Sequence, residues 1–206
     1  MRKILLSFVS VVFASLIING ENIRVQLPVP NLPAGADFKK ALENRRTSRE
    51  FASKNLSEQD LSNLLWAAYG INREDNKRTV PAARGIYSIE LFVALADGVY
   101  KHNITDNRLE KISNEDVRKA SDGRQMGTQA PLVLIMVGNR NAFGVAGERF
   151  SAVEAGAIMQ NLYLYCAAYN LNTVVCGSFD NSLLAKVLRL PDNKYVLLTQ
   201  IVGFPR

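Results

Sequence analysis

The sequence predicts an α+β fold with three layers, in which helices flank a central mixed or antiparallel sheet. Strand-like and helix-like patterns alternate along the 206 residues, and Asp97 with Gly98 forms a two-residue turn typical of an antiparallel hairpin. This length suits one buried core and is short for two domains. We therefore predict a single domain over residues 37–206, preceded by two N-terminal segments.

Met1 to Gly20 has the layout of a secretory signal, with two cations followed by an apolar run from Ile4 to Ile18. The run is short for a membrane-spanning helix, which needs about 20 residues. Residues 17–20 also lack the small-residue pattern of a cleavage site. We predict a signal peptide over residues 1–20 and export to the periplasm or medium of a bacterium, with no stable membrane partner after cleavage. An uncleaved membrane anchor is the alternative.

Two helix starts can be identified after the signal region. Residues 21–36 include three prolines, which predict an extended lead-in that cannot continue a helix. Asp37 is suited to cap the first helix. Ser57 and Asp60 resemble a capping box at the start of the second helix, which Gly70 ends. The charged loop over residues 71–85 is long enough to suggest a functional role.

Hydrophobic patterning predicts the remaining elements, because alternation favours half-buried strands and continuous apolar runs favour buried ones. These elements are strands over residues 88–96, 99–103, 131–137, 171–175 and 195–202, and helices over residues 150–169 and 182–188. His102 is expected on an exposed hairpin strand. Residues 104–129 predict only a short helix from Asn114 to Ala120, within a flexible segment suited to a lid or a substrate contact.

The helix over residues 150–169 is apolar nearly all round, so the core or a second subunit must cover it on several sides. Ala152 and Gly156 lie four residues apart and allow another backbone to approach closely. Glu154 and Asn161 are expected to be structural rather than catalytic, because buried polar groups need partners and often fix packing.

The residue counts exclude several classes of function. The net charge is +6, and 23 basic with 19 acidic residues leave +4 once the first 20 residues are removed. Since no polybasic tract remains, we expect no nucleic-acid partner. One His and two Cys, with both cysteines far from His102 in sequence, cannot supply the ligands of a zinc site, so we expect no metal. Because His102 lies in a polar segment that predicts an exposed hairpin strand, a Cys and His pair and a Ser, His, Asp triad are not expected either. Cys166 and Cys176 are expected as buried free thiols, with a disulfide between them as the alternative.

Five consecutive residues, Arg45, Arg46, Thr47, Ser48 and Arg49, form a dense set of side-chain donors, which we name the arginine pentad. Bidentate guanidinium donation suits a phosphate group. The pentad lies at the C-terminal end of the first predicted helix, where the helix dipole repels anions, so a phosphate must bind through its side chains. A solvated basic turn and a nucleic-acid contact are the alternatives.

The arginine pentad is one of five sequence blocks that occur in a characteristic order. The others are RTVPAARG at residues 78–85, EAGAIMQNLYLYCAA at 154–168, VVCGSFD at 174–180 and VGFPR at 202–206. Together the blocks resemble the nitroreductase superfamily of FMN-dependent oxidoreductases, particularly its SagB-type dehydrogenase-like branch. The resemblance covers residues 37–206 and implies a homodimer in which the long apolar helix lies centrally.

The resemblance also implies an FMN site with no catalytic side chain and no metal. Its contacts fall on Arg45, Arg46 and Thr47 for the phosphate, on Arg49 for the pyrimidine edge, on Pro81, Ala82 and Ala83 for the flavin, on Cys176, Gly177 and Ser178 near N5, and on Arg206 for the phosphate. Glycine at a strand end lets a backbone amide approach the ring. We therefore expect the early cations and the Gly177 amide to converge on one flavin, across paired subunits.

The implied reaction is a ping-pong transfer of hydride from NAD(P)H through flavin N5 to a small nitroaromatic, quinone or similar acceptor. Oxidation of an azoline-like substrate, the direction of the SagB-type branch, is the alternative. Ala82 and Arg84 stand where the family more usually has serine and glycine, so a degenerate flavin-binding module without catalysis is a third possibility. Export conflicts with NAD(P)H as the electron donor, because little NAD(P)H is present outside the cytoplasm.

Overall fold

The structure, a computed structural model, describes residues 16–19, 22–124 and 126–206. Eight strands in these residues form one sheet in the order β1-β2-β5-β4-β3-β6-β8-β7, and every neighbouring pair is antiparallel. The strands are β1 (Leu16–Asn19), β2 (Asn22–Gln26), β3 (Ile89–Leu95), β4 (Gly98–Asn103), β5 (Arg108–Ser113), β6 (Leu132–Asn139), β7 (Asn172–Cys176) and β8 (Lys194–Gly203).

Helices cover both faces of this sheet. They are α1 (Phe38–Asn44), α2 (Glu58–Tyr69), α3 (Gly147–Ala168) and α4 (Asn181–Val187). Leu64 of α2 and Ile158 of α3 share one apolar core with Leu134 of the sheet. Leu184 of α4 packs in a second core with Ile135, whose side chain points to the opposite face. The predicted three-layer α+β fold is therefore confirmed, and its sheet is antiparallel.

Local capping chemistry sets the starts of the first two helices as predicted. The Asp37 carboxylate accepts hydrogen bonds from the amides of Lys39 and Lys40 at the start of α1. The Ser57 hydroxyl accepts from the Asp60 amide at the start of α2, and Gly70 caps its end. Such caps satisfy amides that have no partner within the helix. Both predicted helix starts are confirmed.

The predicted hairpin is also confirmed, and it occupies the middle of the sheet. Leu95 of β3 pairs with Gly98 of β4 across a turn of Ala96 and Asp97, one residue earlier than the predicted turn of Asp97 and Gly98. Gly98 has φ of +139°, and a Cβ atom at this position would lie 2.2 Å from the Ser113 carbonyl oxygen. No larger residue fits this combination of backbone angle and close contact.

The segment after this hairpin differs from the prediction. β5 was not predicted, and the helix predicted from Asn114 to Ala120 is wrong. The Ser113 hydroxyl accepts from the Glu115 amide, and the Asp116 carboxylate accepts from the Arg118 amide. Side chains that bond nearby amides in this way compete with helix formation, and only turns form before Ser121.

The prediction that His102 is exposed is wrong, since it is only 4% exposed. Its strand β4 lies inside the sheet between β3 and β5. Its Nε2 lies 3.2 Å from the Asn107 side-chain oxygen, while the Asn107 amide group donates to the Pro28 carbonyl oxygen at 2.8 Å. The segment predicted as a lead-in therefore packs over the hairpin.

The lead-in also contributes to the sheet. Its backbone is extended as predicted, but Val25 of β2 pairs with Leu109 of β5, and Leu27 is buried. Of the predicted signal peptide, Leu16–Asn19 forms β1, and residues 1–15 and 20 lie outside the described residues. Among the described residues, no helix is long and apolar enough to cross a bilayer.

Candidate active site

The arginine pentad lies directly after α1 and runs beside the outer edge of β7. The Ser48 amide donates to the Thr173 carbonyl oxygen at 3.0 Å. The Asn172 side-chain amide donates to the Glu50 carbonyl oxygen at 2.7 Å. These backbone contacts hold the pentad against the strand that delivers Gly177, although the two segments are far apart in sequence.

Tyr163 of α3 joins the pentad to β7. Its hydroxyl lies 3.1 Å from the Thr47 hydroxyl and accepts a hydrogen bond from the Val175 amide at 3.2 Å. The Arg45 guanidinium carbon lies 5.2 Å from the centre of the Tyr163 ring, within the range of a cation–π interaction. Tyr163 was not predicted from the sequence, because its role depends on the packing of α3 against β7.

A cavity of about 190 Å³ lies at the end of β7. Arg49 lines it from the pentad, and Cys176, Gly177 and Ser178 line it from the strand end. A Cβ atom at Gly177 would have no described heavy atom within 4 Å outside its chain neighbours. The Gly177 backbone is thus accessible to a bound molecule.

A loop that includes Asp122, Gly123 and Arg124 also lines this cavity, and the role of Asp122 was not predicted from the sequence. The buried Asp122 carboxylate accepts hydrogen bonds from the amides of Arg124, Met126 and Gly127 at 2.8, 3.0 and 2.6 Å. The Gly123 amide donates to the Ser178 carbonyl oxygen at 2.7 Å. The Asp-Gly pair is a common turn signal that could have indicated this loop. The loop belongs to the segment over residues 104–129, whose role as a lid or substrate contact stays a prediction.

Both cysteines are free and buried, as predicted. Burial raises the pKa of the Cys176 thiol, and the charge of Asp122 raises it further. The thiol is therefore a poor source of thiolate near neutral pH. Cys176 contributes a wall to the cavity rather than a nucleophile.

Arg46 lies in a separate cavity of about 210 Å³ on the other side of the pentad. Tyr163 and Ser48 also line this second cavity, together with amide side chains from the α3–β7 connection. Arg46 is thus separated from the cavity of Arg49 and Gly177, whereas the sequence analysis had placed both arginines at one cofactor.

The remaining predicted contacts line neither cavity. Pro81 is exposed, and Ala82 and Ala83 are half-buried in the turn that leads to β3. Arg206 is exposed at the chain end, after Phe204, whose carbonyl oxygen accepts from the Ala52 amide at 2.9 Å. Within one protomer, the structure therefore brings together only part of the predicted set.

The polar residues of α3 have structural partners. The Glu154 carboxylate accepts from the Ser88 amide at 2.9 Å, and the Asn161 side-chain amide donates to the carbonyl oxygens of Ala67 and Thr79 at 3.1 and 3.3 Å. Among the described residues, no group of three or more His, Cys, Asp or Glu side chains could hold a metal ion.

The arrangement suits a molecule that carries both an anion and a flat ring. The pentad offers guanidinium groups for the anion, and the open side of Gly177 offers a backbone surface for the ring. These features fit the phosphate and isoalloxazine ends of FMN.

Comparisons with known proteins place this architecture in a family. The Nitroreductase family model matches residues 42–204. A curated protein of Methanocaldococcus jannaschii, provisionally named as a nitroreductase, is 31% identical over 199 residues, which cover 89% of this chain and 98% of that protein.

Two solved structures extend the comparison. A provisionally named nitroreductase of Ralstonia eutropha is 34% identical, with a TM-score of 0.83 over 89% of this chain and 90% of its own. The Escherichia coli microcin synthetase complex with a truncated substrate precursor contains a chain of the same fold, with 20% identity and a TM-score of 0.66 over 87% of this chain and 75% of that chain. The protein described here belongs to the nitroreductase family and is an oxidoreductase of that superfamily.

Proposed function

We propose that this protein binds FMN and uses NAD(P)H to reduce small nitroaromatic, quinone or similar acceptors. The observation that carries the proposal is the shared cavity of Arg49 and Gly177, in which a cation and an open backbone face each other at the end of β7. When bound, FMN supplies two-electron redox chemistry, which leaves binding and electrostatics to the protein. The lack of an assigned catalytic side chain is consistent with this division.

The pentad residues have different roles in the proposal. Arg49 lies toward the pyrimidine edge, where a positive charge stabilises the anionic reduced flavin. Arg45 and Thr47, held by Tyr163, serve the phosphate. The Gly177 amide would contact the flavin near N5, and the open space beside its backbone would receive the ring.

We also propose that a second copy of this chain completes the site. The cavities of about 190 and 210 Å³ are each smaller than the roughly 300–1,000 Å³ typical of pockets for cofactor-sized ligands. The turn over residues 81–83 lines neither cavity. In the proposed homodimer this turn would line the partner's cavity, which would explain why one protomer assembles only part of the predicted contacts.

The surface of α1 and α3 supports the same proposal. Phe38 and Leu42 of α1 are 68% and 48% exposed, and Val153 of α3 is 64% exposed. A Cβ atom at Gly156 would have no neighbour within 4 Å outside the local helix backbone, among the described residues. Apolar surface of this kind, on helices that pack against each other, is typical of a subunit interface.

The absorption spectrum of the purified full-length protein, with and without added FMN, tests the proposed function. We expect a yellow protein whose flavin absorbance bleaches when NADPH or NADH is added without oxygen, and recovers with a quinone. A colourless protein that takes up no FMN would refute the proposal. FMN uptake without bleaching or turnover would instead support the non-catalytic flavin-binding module.

Azoline oxidation is the second candidate activity, favoured by the resemblance of the five sequence blocks to the SagB-type branch. It requires the bound flavin to accept electrons from a heterocycle and to be reoxidised by oxygen. Conversion of an azoline-containing peptide without NAD(P)H would support this direction, whereas NAD(P)H-dependent quinone reduction alone would support the first.

We further propose that the protein is exported, on the basis of its cationic and apolar N-terminal segment. Cell fractionation tests the localisation, and N-terminal sequencing of the mature protein tests cleavage near Gly20. An exported protein would need an electron donor available outside the cytoplasm. A full-length cytoplasmic protein would refute export and remove the conflict with NAD(P)H.

A further inference from the structure

A buried carboxylate fixes the point where the turn over residues 81–85 enters β3. Glu154 is 3% exposed, and one of its oxygens accepts from the Ser88 amide at 2.9 Å and the Ser88 hydroxyl at 2.7 Å. Its other oxygen accepts from the Tyr69 hydroxyl. A buried charge needs donors of this kind to offset its desolvation. Glu154 therefore links α3 to α2 and to the first residues of β3.

Arg78 lies on the other side of the same tyrosine. Its guanidinium carbon is 4.1 Å from the centre of the Tyr69 ring and 4.3 Å from that of Tyr87, and the two rings meet edge to face with centres 6.0 Å apart. The Arg78 amide donates to the Tyr87 hydroxyl at 2.9 Å. Tyr69 thus carries a cation on its ring face and donates its hydroxyl proton to the Glu154 carboxylate.

This connection joins two opposite charges through one aromatic ring. The Glu154 carboxylate increases the electron density of the tyrosine, which strengthens its attraction for the cation. Burial, together with the same carboxylate, raises the pKa of Tyr69, so its hydroxyl stays protonated and continues to donate. Arg78 Nη1 is buried with no hydrogen-bond partner among the described residues. Stacking on the rings therefore holds this guanidinium in place.

The contacts define both ends of an exposed turn. Before the turn, the Thr79 amide donates to the Gly70 carbonyl oxygen at 2.9 Å, and Val80 is buried. After the turn, Ser88 is held by Glu154. Between them, Arg84 and Gly85 have φ of +55° and +71°. Because an arginine rarely adopts this region, the turn keeps its shape only when the flanking residues are fixed.

We propose that Arg78, linked through Tyr69 to Glu154, is a positioning residue that holds the 81–85 turn in the conformation required to bind the cofactor. The cofactor part of this proposal rests on the proposed FMN site, whereas control of the turn conformation does not. Arg78 lies outside the predicted cofactor contacts and acts by limiting the conformations open to the turn, which lowers the entropy lost on binding.

The test compares Arg78→Met with Arg73→Met in the full-length protein. Arg73 is in the same loop but is exposed and pairs with Asp75 at 3.3 Å, so it is a matched control. The first measurement is hydrogen exchange of the Gly85 and Ile86 amides without added FMN; these amides donate to Ala82 and Ala83 at 3.1 and 3.0 Å. The second is FMN affinity by fluorescence quenching, well below the melting temperature.

We expect Arg78→Met to speed exchange at both amides by about tenfold and to weaken FMN binding by about tenfold, the effect of losing one strong cation–π contact. Arg73→Met should change neither. Unchanged exchange in a folded Arg78→Met protein would overturn the proposal, as would equal effects of the two substitutions.

Two further outcomes are also decisive. If the wild-type protein binds no FMN, the proposed function fails, and the exchange measurement alone decides whether Arg78 controls the turn. If Arg78→Met does not fold, Tyr69→Phe replaces it, because it removes the hydroxyl that joins Tyr69 to Glu154 and keeps the ring on which Arg78 stacks. Faster exchange at Gly85 and Ile86 in Tyr69→Phe supports the proposal, and unchanged exchange contradicts it.

Discussion

The hydroxyl groups of Thr47 and Tyr163 lie 3.1 Å apart, although 116 positions separate these residues in the chain. Tyr163 also accepts from the Val175 amide, two residues before Gly177. One tyrosine of α3 therefore sets the distance between the pentad and the strand end that the proposed cofactor must span.

Replacing Tyr163 with phenylalanine tests this connection. The change leaves the Val175 amide and the Thr47 hydroxyl without their shared partner, at a cost of about 1–2 kcal/mol. We expect FMN affinity to fall by about tenfold in a fluorescence titration. Tyr169→Phe, which removes a hydrogen bond to the Pro33 carbonyl oxygen near the surface, is the control. Equal affinities for the two variants would contradict the role assigned to Tyr163.

Side chains added at Gly177 should affect FMN and spare the fold. Because a Cβ atom there meets no described neighbour within 4 Å, Gly177→Ala and Gly177→Val should keep the free energy of unfolding within about 0.5 kcal/mol. FMN affinity should fall with the size of the side chain, by tenfold or more for valine. Urea denaturation and FMN titration measure the two effects. If Gly177→Val leaves FMN binding intact, the flavin ring does not approach this backbone.

The two cavities make opposite predictions for two neighbouring arginines. Arg49 lines the cavity of Gly177, whereas Arg46 lines the second cavity. Arg49→Met should weaken FMN binding by about 10- to 100-fold, the value of one charge-assisted hydrogen bond. Arg46→Met should have a smaller effect. If Arg46→Met weakens FMN binding more than Arg49→Met does, the phosphate binds in the second cavity and the roles assigned to the two arginines are wrong.

His102 should make the free energy of unfolding depend on pH. Burial lowers its pKa from 6.5 to about 4, and the nearby Arg78 charge adds to this effect. Between pH 6.5 and pH 4 the unfolded chain binds the additional proton, so this contribution is complete above pH 6.5 and is lost as pH falls toward 4.

The loss should amount to about 2–3 kcal/mol between pH 7 and pH 4.5. Urea denaturation of the wild-type protein and His102→Gln at these two pH values isolates it, because the chain has no other histidine. The wild-type protein should lose that much more stability than the variant. Parallel losses would mean that His102 titrates normally in the folded protein.

A charge at Gly156 should separate the proposed dimer. Gly156→Glu meets no described neighbour within the protomer and improves helix propensity, so the monomer should still fold. In an interface, the same carboxylate would be buried without a partner. Light scattering after size exclusion should show a monomer. Asn181→Glu, which adds the same charge on the exposed start of α4, should leave the dimer intact. A monomeric wild-type protein would refute the dimer itself.

Elements set by neighbouring residues were predicted well from the sequence. Asp37 and Ser57 cap their helices by reaching amides two or three residues away, and such contacts are visible in the order of residues. β5 and the burial of His102 depend in part on the lead-in, which is distant in sequence and contacts β5 and Asn107. The pairing of Val25 with Leu109 joins residues whose side chains alone give no indication of it.

The candidate site shows the same division. Arg49 and Gly177 were predicted from sequence blocks, and the structure places them around one cavity. Asp122 was missed because its carboxylate binds backbone amides, which any residue type can provide. Tyr163 was missed because a tyrosine on an apolar helix has the pattern of a core residue until its hydroxyl contacts are known.

The arginine pentad also has a structural effect, because the Ser48 amide donates to the Thr173 carbonyl oxygen. β7 is the last strand of its sheet, and the unpaired backbone groups of such a strand promote pairing with other chains and aggregation. The residues proposed to capture a phosphate thus also shield this strand. Selection for solubility would preserve the backbone path of the pentad even in a descendant that no longer carried a cofactor.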